Sequence, residues 1–306
     1  MNAMWLLKGR RLGLLGLAAA WPALARAQQA AGTELWRLIG VTQPVPFALA
    51  TGATGAFWNP AQRDSAGAEV GAEIVQTPAS IGASGFIAVA RARTRGLGSF
   101  GLVYGRASLI DLVRTTFSPD PAGAPIPFYT QTIGLTWAAT PRIVTIGATV
   151  GYHETRLDQS DVHRFTVDVG IARQFGGAVR LAAATHFFSG LRSADAAQDI
   201  YAGADWRLWH GPLWQGGGTA SVYARYGITV GHSTGVDHTL GAGLDLGDAF
   251  DLDLQAVREE SYGSTVWRGV GGLRVTLGRY RLTFARDAGV NDLGSAYRVG
   301  LEARLE

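Results

Sequence analysis

From Val144 to Tyr152 the apolar side chains fall on every second position. Val144, Ile146, Ala148, Val150 and Tyr152 alternate with Thr145, Gly147, Thr149 and Gly151. The same period of two runs through Arg164–Ile171, Asp199–Leu208, Ser221–Val230, Leu240–Leu246 and Phe250–Gln255. A strand sends successive side chains to opposite faces, so each segment has one apolar face and one polar or glycine face. About fourteen such segments are predicted, near 68–76, 82–93, 98–108, 128–139, 142–154, 162–174, 178–188, 198–208, 219–231, 237–246, 249–259, 264–276, 279–287 and 295–305. Each is close to the ~9–11 residues that a tilted strand uses to cross a bilayer. In the second and third, Ile87 and Val89 compete with the series Phe86, Ala88, Ala90, and the pattern sets no register.

The connections alternate in length. Thr140-Pro141, Phe175-Gly176-Gly177, Gly247-Asp248 and Leu277-Gly278 are short, and the longer, polar Leu109–Pro127, Glu154–Asp161, Phe188–Ala197 and Asp287–Gly294 fall between them. Trp209–Gly218 breaks this parity. A membrane barrel with both termini at its periplasmic end has tight turns there and longer loops outside. A soluble exported β-protein, the competing reading, has no reason to sort its loops in this way. Trp137, Trp206, Trp209, Trp214, Trp267, Tyr280 and Tyr297 stand at or near the ends of predicted strands, where aromatic girdles meet the interface. The expected fold is all-β: a transmembrane antiparallel β-barrel of about 14 strands, its apolar face against outer-membrane lipid.

The N-terminus adds an address. Lys8, Arg10 and Arg11 precede the apolar run Leu12–Leu24, and Ala25-Arg26-Ala27 has the form that a signal peptidase cleaves. Residues 1–27 therefore read as a Sec-type signal peptide of a Gram-negative bacterium. Removing them changes the charge argument. The 27 Lys and Arg lose Lys8, Arg10, Arg11 and Arg26, which leaves 23 against 24 Asp and Glu, a net charge of −1. Nucleic-acid binding loses its compositional support. The chain has no cysteine, so neither a lipid anchor nor a disulfide framework is available.

Between leader and strands lies Leu49–Gln62, with Phe57-Trp58-Asn59-Pro60-Ala61 at its end. Pro60 lacks an N–H and pushes Asn59 out of the helical region, so this stretch reads as a breaker before a domain. Phe47-Ala48-Leu49-Ala50 through Ala56-Phe57-Trp58-Asn59-Pro60-Ala61 also resembles the N-terminal signature of outer-membrane barrels related to the long-chain fatty-acid transporter FadL, especially their PorV-like branch. The resemblance implies a luminal plug or hatch over residues 28–66, hinged at Phe57, Trp58, Asn59, Pro60 and Ala61, ahead of a barrel over 67–306. It implies a channel or transporter for hydrophobic or small amphipathic molecules, or a PorV-like barrel that binds an exported protein. A general porin is a further alternative. The last strand, Arg298 to Leu305, resembles the C-terminal signal read by the outer-membrane assembly machinery.

Inward positions are rich in charge. Arg164, Arg180, Arg207, Arg225, Arg268 and Arg281 are candidate lumen-lining residues, together with Asp168, Asp205, Asp245, Asp251, Asp253, Arg274, Arg298 and Arg304. Either ion pairs stitch a solvated lumen, or the arginines form a girdle that selects anions or holds a carboxylate. An outer-membrane enzyme is the reading from another class, with His153 and His163 near Glu154, Asp158 and Asp161 as an acid–base cluster. No G-x-S-x-G, H-E-x-x-H or cysteine nucleophile accompanies them. The expectation is no catalytic residue, no metal site and no cofactor.

Overall fold

A computed structural model describes residues 33–62, 67–110, 112–114, 125–189, 199–213, 218–231, 235–247, 249–261, 264–289 and 294–305. The predicted leader, Trp214 and parts of the longer loops lie outside them. Three short helical pieces come first: α1 (Thr33–Gly40), a 3-10 turn (Phe47–Leu49) and α2 (Gly52–Trp58). Then come β1 (Ala68–Gln76), β2 (Ala83–Thr94), β3 (Gly98–Leu109), β4 (Phe128–Ala139), β5 (Val144–Leu157), β6 (Ser160–Phe175), β7 (Val179–His186) and the two-residue β8 (Phe188–Ser189). They are followed by β9 (Asp199–Pro212), β10 (Thr219–Gly231), β11 (Gly235–Leu246), β12 (Phe250–Ser261), β13 (Ser264–Leu277), β14 (Tyr280–Asp287) and β15 (Tyr297–Leu305).

Sequence neighbours pair antiparallel, and β1 pairs β15 from Ala68↔Leu305 to Gln76↔Tyr297, which closes the sheet into a ring. With β7 and β8 as one stave, the barrel has fourteen. Closure removes the open sheet edges that a bilayer could not satisfy. The outward face carries Ile74, Leu102, Ile133, Leu135, Val150, Phe165, Leu254 and Val299, all more than half exposed. That is the apolar belt of a membrane barrel. Trp206, Trp209 and Tyr280 project outward toward the turn end of the belt, and Trp267 and Tyr297 toward the other end.

The ends of the ring differ in part from the expected loop parity. Gly176-Gly177 is a tight turn with φ of 53° and 73°, the left-handed pair that a two-residue hairpin turn requires. Glu154–Asp161 is not a loop. β5 runs to Leu157 and β6 starts at Ser160, so the hairpin continues past the belt, with Leu157 paired to Ser160. The first four residues of Trp209–Gly218 are also strand, because β9 continues to Pro212 across a bulge opposite Val222/Tyr223. The undecided register of β2 resolves with Gly85, Ile87, Val89 and Arg91 inward and Phe86, Ala88 and Ala90 outward.

The core lies inside the ring. Of its twenty-one buried hydrophobic residues, eleven come from residues 35–61 and the rest from inward wall positions. Eight inward glycines, Gly71, Gly85, Gly105, Gly147, Gly170, Gly203, Gly227 and Gly272, sit directly against this N-terminal segment. A Cβ at Gly85 would lie 2.7 Å from Ile39, at Gly105 2.6 Å from Phe57 and Trp36, and at Gly203 2.8 Å from Leu49. These contacts come from all round the wall. The segment therefore lies inside the ring against the wall, from α1 near the long-loop end to Gln62 near the turns.

Candidate functional site

Wall donors hold the luminal segment by its main-chain carbonyls. Arg298 Nη2 donates to Ile39 O (2.9 Å), Arg268 Nη1 to Val41 O (2.7 Å), and Gln255 Nε2 to Gln43 O. Arg180 Nη1 donates to Leu49 O at 3.3 Å. Arg298 also reaches Thr42 Oγ1 at 3.1 Å and forms an ion pair with Glu73. Glu73 in turn accepts from Thr54 Oγ1 at 2.6 Å, so one fully buried guanidinium ties two parts of the segment to the wall. At the entry, Arg37 pairs with Asp237 at 2.6 Å and Trp36 Nε1 donates to Thr130 Oγ1 at 3.3 Å.

Phe57, Trp58, Asn59, Pro60 and Ala61 lie deep in the lumen, each buried. Asn59 Nδ2 donates to Ala48 O (2.7 Å), and its Oδ1 accepts from Ala61 N (2.9 Å). One side chain thus fastens the 3-10 turn to the end of α2 across Pro60. Phe57 packs on Trp36 (ring centroids 5.0 Å apart), on Trp58 (5.0 Å) and on His186 (5.2 Å). The wall contributes Phe187, whose φ of 55° breaks β7 from β8 and turns its ring inward. A bulky residue in that region is strained, and Asp168 holds it there. One carboxylate oxygen accepts from Phe187 N at 2.6 Å, and the other meets His186 Nδ1 at 3.1 Å.

The six arginines singled out by the sequence all sit at inward positions, but the fold divides them. Arg180, Arg207 and Arg225 line one cavity at the turn end, of about 740 Å³. Arg281 pairs with Glu302 at 3.3 Å beside Thr54. Arg268 pairs with Glu259 at 3.1 Å near the long-loop end, and Arg164 stands opposite His153. Within the cavity Arg225 bonds Asp253 and lies 3.5 Å from Asp205, while Arg274 bonds Asp251 at 3.0 Å. To reach Asp253, Arg225 crosses Gly243, where a Cβ would meet its Nη1 at 2.5 Å.

The histidine pair of the enzyme reading is split by the wall. His153 is buried inside against Thr130 Oγ1 at 2.6 Å, whereas His163 is outside, stacked on Tyr152 and 2.8 Å from Asp161. Among the described residues no group of three or more metal-ligating side chains converges. Sequence reasoning missed the roles of Glu73, Phe187 and the inward glycines; glycine recurring at inward strand positions was the available signal.

The arrangement defines a class: a closed transmembrane β-barrel whose lumen holds its own N-terminal segment. Solved structures that share this barrel fold include three hydrocarbon channels and transporters. The CymD monoaromatic hydrocarbon channel superposes with a TM-score of 0.55 at 10% identity, over 88% of this chain and 98% of that one. The Pseudomonas putida toluene transporter TodX gives 0.52 at 10% identity over 86% and 96%, respectively. The Ralstonia pickettii toluene transporter TbuX gives 0.51 at 12% over 86% and 98%. No protein-family model and no curated protein matches the chain.

Proposed function

We propose that the protein is a bacterial outer-membrane channel, closed by its own N-terminal segment, that passes small hydrophobic or amphipathic molecules. The observation that carries this reading is the filled lumen: residues 35–61 supply half of the interior core, and the wall is shaped by glycine to receive them. A general porin needs an open lumen, and this filling argues against one. The hydrophobic cargo rests on the FadL-like resemblance and on the hydrocarbon channels and transporters that share the fold. On this reading residues 1–27 direct export, β15 engages the assembly machinery, the short turns face the periplasm, and the segment through Asn59-Pro60 moves to open a path.

Because the chain lacks cysteine, an engineered pair can test that movement cleanly. A Cβ placed at Gly71 lies 3.0 Å from Ala53 Cβ, within about 1 Å of the ~3.8 Å of a disulfide. The double variant A53C/G71C should take up toluene when reduced and stop when oxidised. Equal uptake in both states would remove the moving plug; no uptake by the wild type above a barrel-free control would remove the cargo.

A further inference from the structure

The turn-end cavity carries its charge unevenly round the wall. On one arc, Arg142 before β5, Arg180 on β7 and Arg207 on β9 line it with a single carboxylate among them, Asp205 on β9, directly across the strand pair from Arg180. On the other arc, from β10 to β13, it is lined by Asp245, Asp251 and Asp253 against Arg225 and Arg274. Counted as formal charges, three guanidiniums less one carboxylate give +2 on the first arc, and three carboxylates less two guanidiniums give −1 on the second. Arg173 also borders the cavity, but its guanidinium lies over the Phe175 ring, 4.3 Å away, on the outer face.

Three details make this more than a solvated rim. Arg225 and Arg274 are occupied by Asp205, Asp253 and Asp251, whereas the Arg207 guanidinium has no ion-pair partner among the described residues. Asp245 stands directly across the strand pair from Asp251, where like charges repel; Arg274 bonds Asp251 at 3.0 Å, whereas Asp245 has no ion-pair partner among the described residues. From the luminal segment, Gln62 lines the same cavity although it is only 2% exposed, and its Nε2 has no hydrogen-bond partner. The two residues before it press on Gly147 of β5 and Gly170 of β6, which sets this amide donor beside the basic arc.

We infer that this cavity is a binding site for small zwitterions: a carboxylate held by Arg207 with the Gln62 amide, and an ammonium held between Asp245 and Asp251. Opposed fields across one cavity favour a molecule that carries both charges over one that carries either alone. A volume of about 740 Å³ accepts a short chain between the two ends. The site lies at the turn end of the same lumen, and its binding is read without transport.

The test is calorimetric titration of the detergent-solubilised protein with 4-aminobutyrate and 6-aminohexanoate, and with butyrate and butylammonium as single-charge controls. At low salt at least one amino acid should bind one-to-one and about tenfold tighter than either control. Arg207→Gln should abolish that margin and leave butylammonium binding unchanged; Asp245→Asn should abolish it through the ammonium end and leave butyrate unchanged. Gln62→Leu should weaken the zwitterion and butyrate and leave butylammonium unchanged, with heat-modifiable gel migration showing that each variant is folded. No saturable binding, binding of a control as tight as that of both amino acids, or an intact margin in both charge variants would overturn the assignment. None of these outcomes depends on toluene uptake.

Discussion

Replacing Asn59 by alanine should loosen the luminal segment while leaving the wall standing. The side chain makes two buried hydrogen bonds, to Ala48 O at 2.7 Å and from Ala61 N at 2.9 Å, and is itself fully buried. A buried polar group stripped of its partner costs about 1–3 kcal/mol, so two give about 2–6 kcal/mol. Entry of water into the space vacated moves the expectation to the low end, about 2 kcal/mol, or roughly a thirtyfold rise in the population of opened segments. No wall-to-wall bond is touched, so heat-modifiable migration should persist. A cysteine at Ala56, 1% exposed on α2, reports the opening by maleimide labelling in the cysteine-free chain. Labelling tracks that population when closing outpaces reaction. A cysteine at Leu97, 62% exposed at a turn, should label at an unchanged rate. An acceleration at position 56 below about threefold, less than 1 kcal/mol, would refute the claim that Asn59 fastens the segment.

Gly170→Val should displace the same segment from the wall side, because its Cβ would lie 2.8 Å from Ala61 N and 3.0 Å from Ala61 Cβ. Planar-bilayer conductance should rise, whereas Gly269→Val, whose Cβ meets nothing within 4 Å, should leave it unchanged. Arg298→Met should cost about 3–5 kcal/mol in urea unfolding, since it strands the buried Glu73 carboxylate, and adding Glu73→Gln should recover part of the loss. Gly243→Ala should block the crossing of Arg225 to Asp253; combined with Asp253→Asn its cost should be less than additive by about 1 kcal/mol or more in a double-mutant cycle.

The wall was legible in the sequence because a half-buried strand alternates with a period of two. Most predicted strands lie within a few residues of the observed ones. Where legibility failed, a second apolar environment was at work. β2 is apolar on both faces, Phe86 toward lipid and Ile87 and Val89 toward the luminal core, so alternation could not choose between them. Alternation through Ala182, Ala184 and His186 places Phe187 outside; Asp168, on the neighbouring strand, reverses it through a bond from Phe187 N. The hairpin of β5 and β6 outruns the bilayer, and its polar, exposed tip looked like a loop. The breaker at Asn59-Pro60 was plain, but its main bond, to Ala48 O, spans eleven residues of irregular chain and leaves no periodic trace.

One pattern reconciles the two halves of the lumen. Inward positions that carry glycine, such as Gly85, Gly105, Gly147, Gly170 and Gly203, mark where the luminal segment presses so closely that a Cβ has no room. Inward positions that carry arginine and aspartate below that level, such as Arg207, Arg225, Asp245 and Asp251, mark where it stops and the cavity begins. The glycines weaken the strands that hold them, by about 0.5–1 kcal/mol each relative to alanine. That cost is offset only while the segment packs against them. A wall shaped in this way fits an occupied lumen, and passage under the proposed function requires a substitute for the contacts of Ile39, Leu49, Phe57 and Asn59.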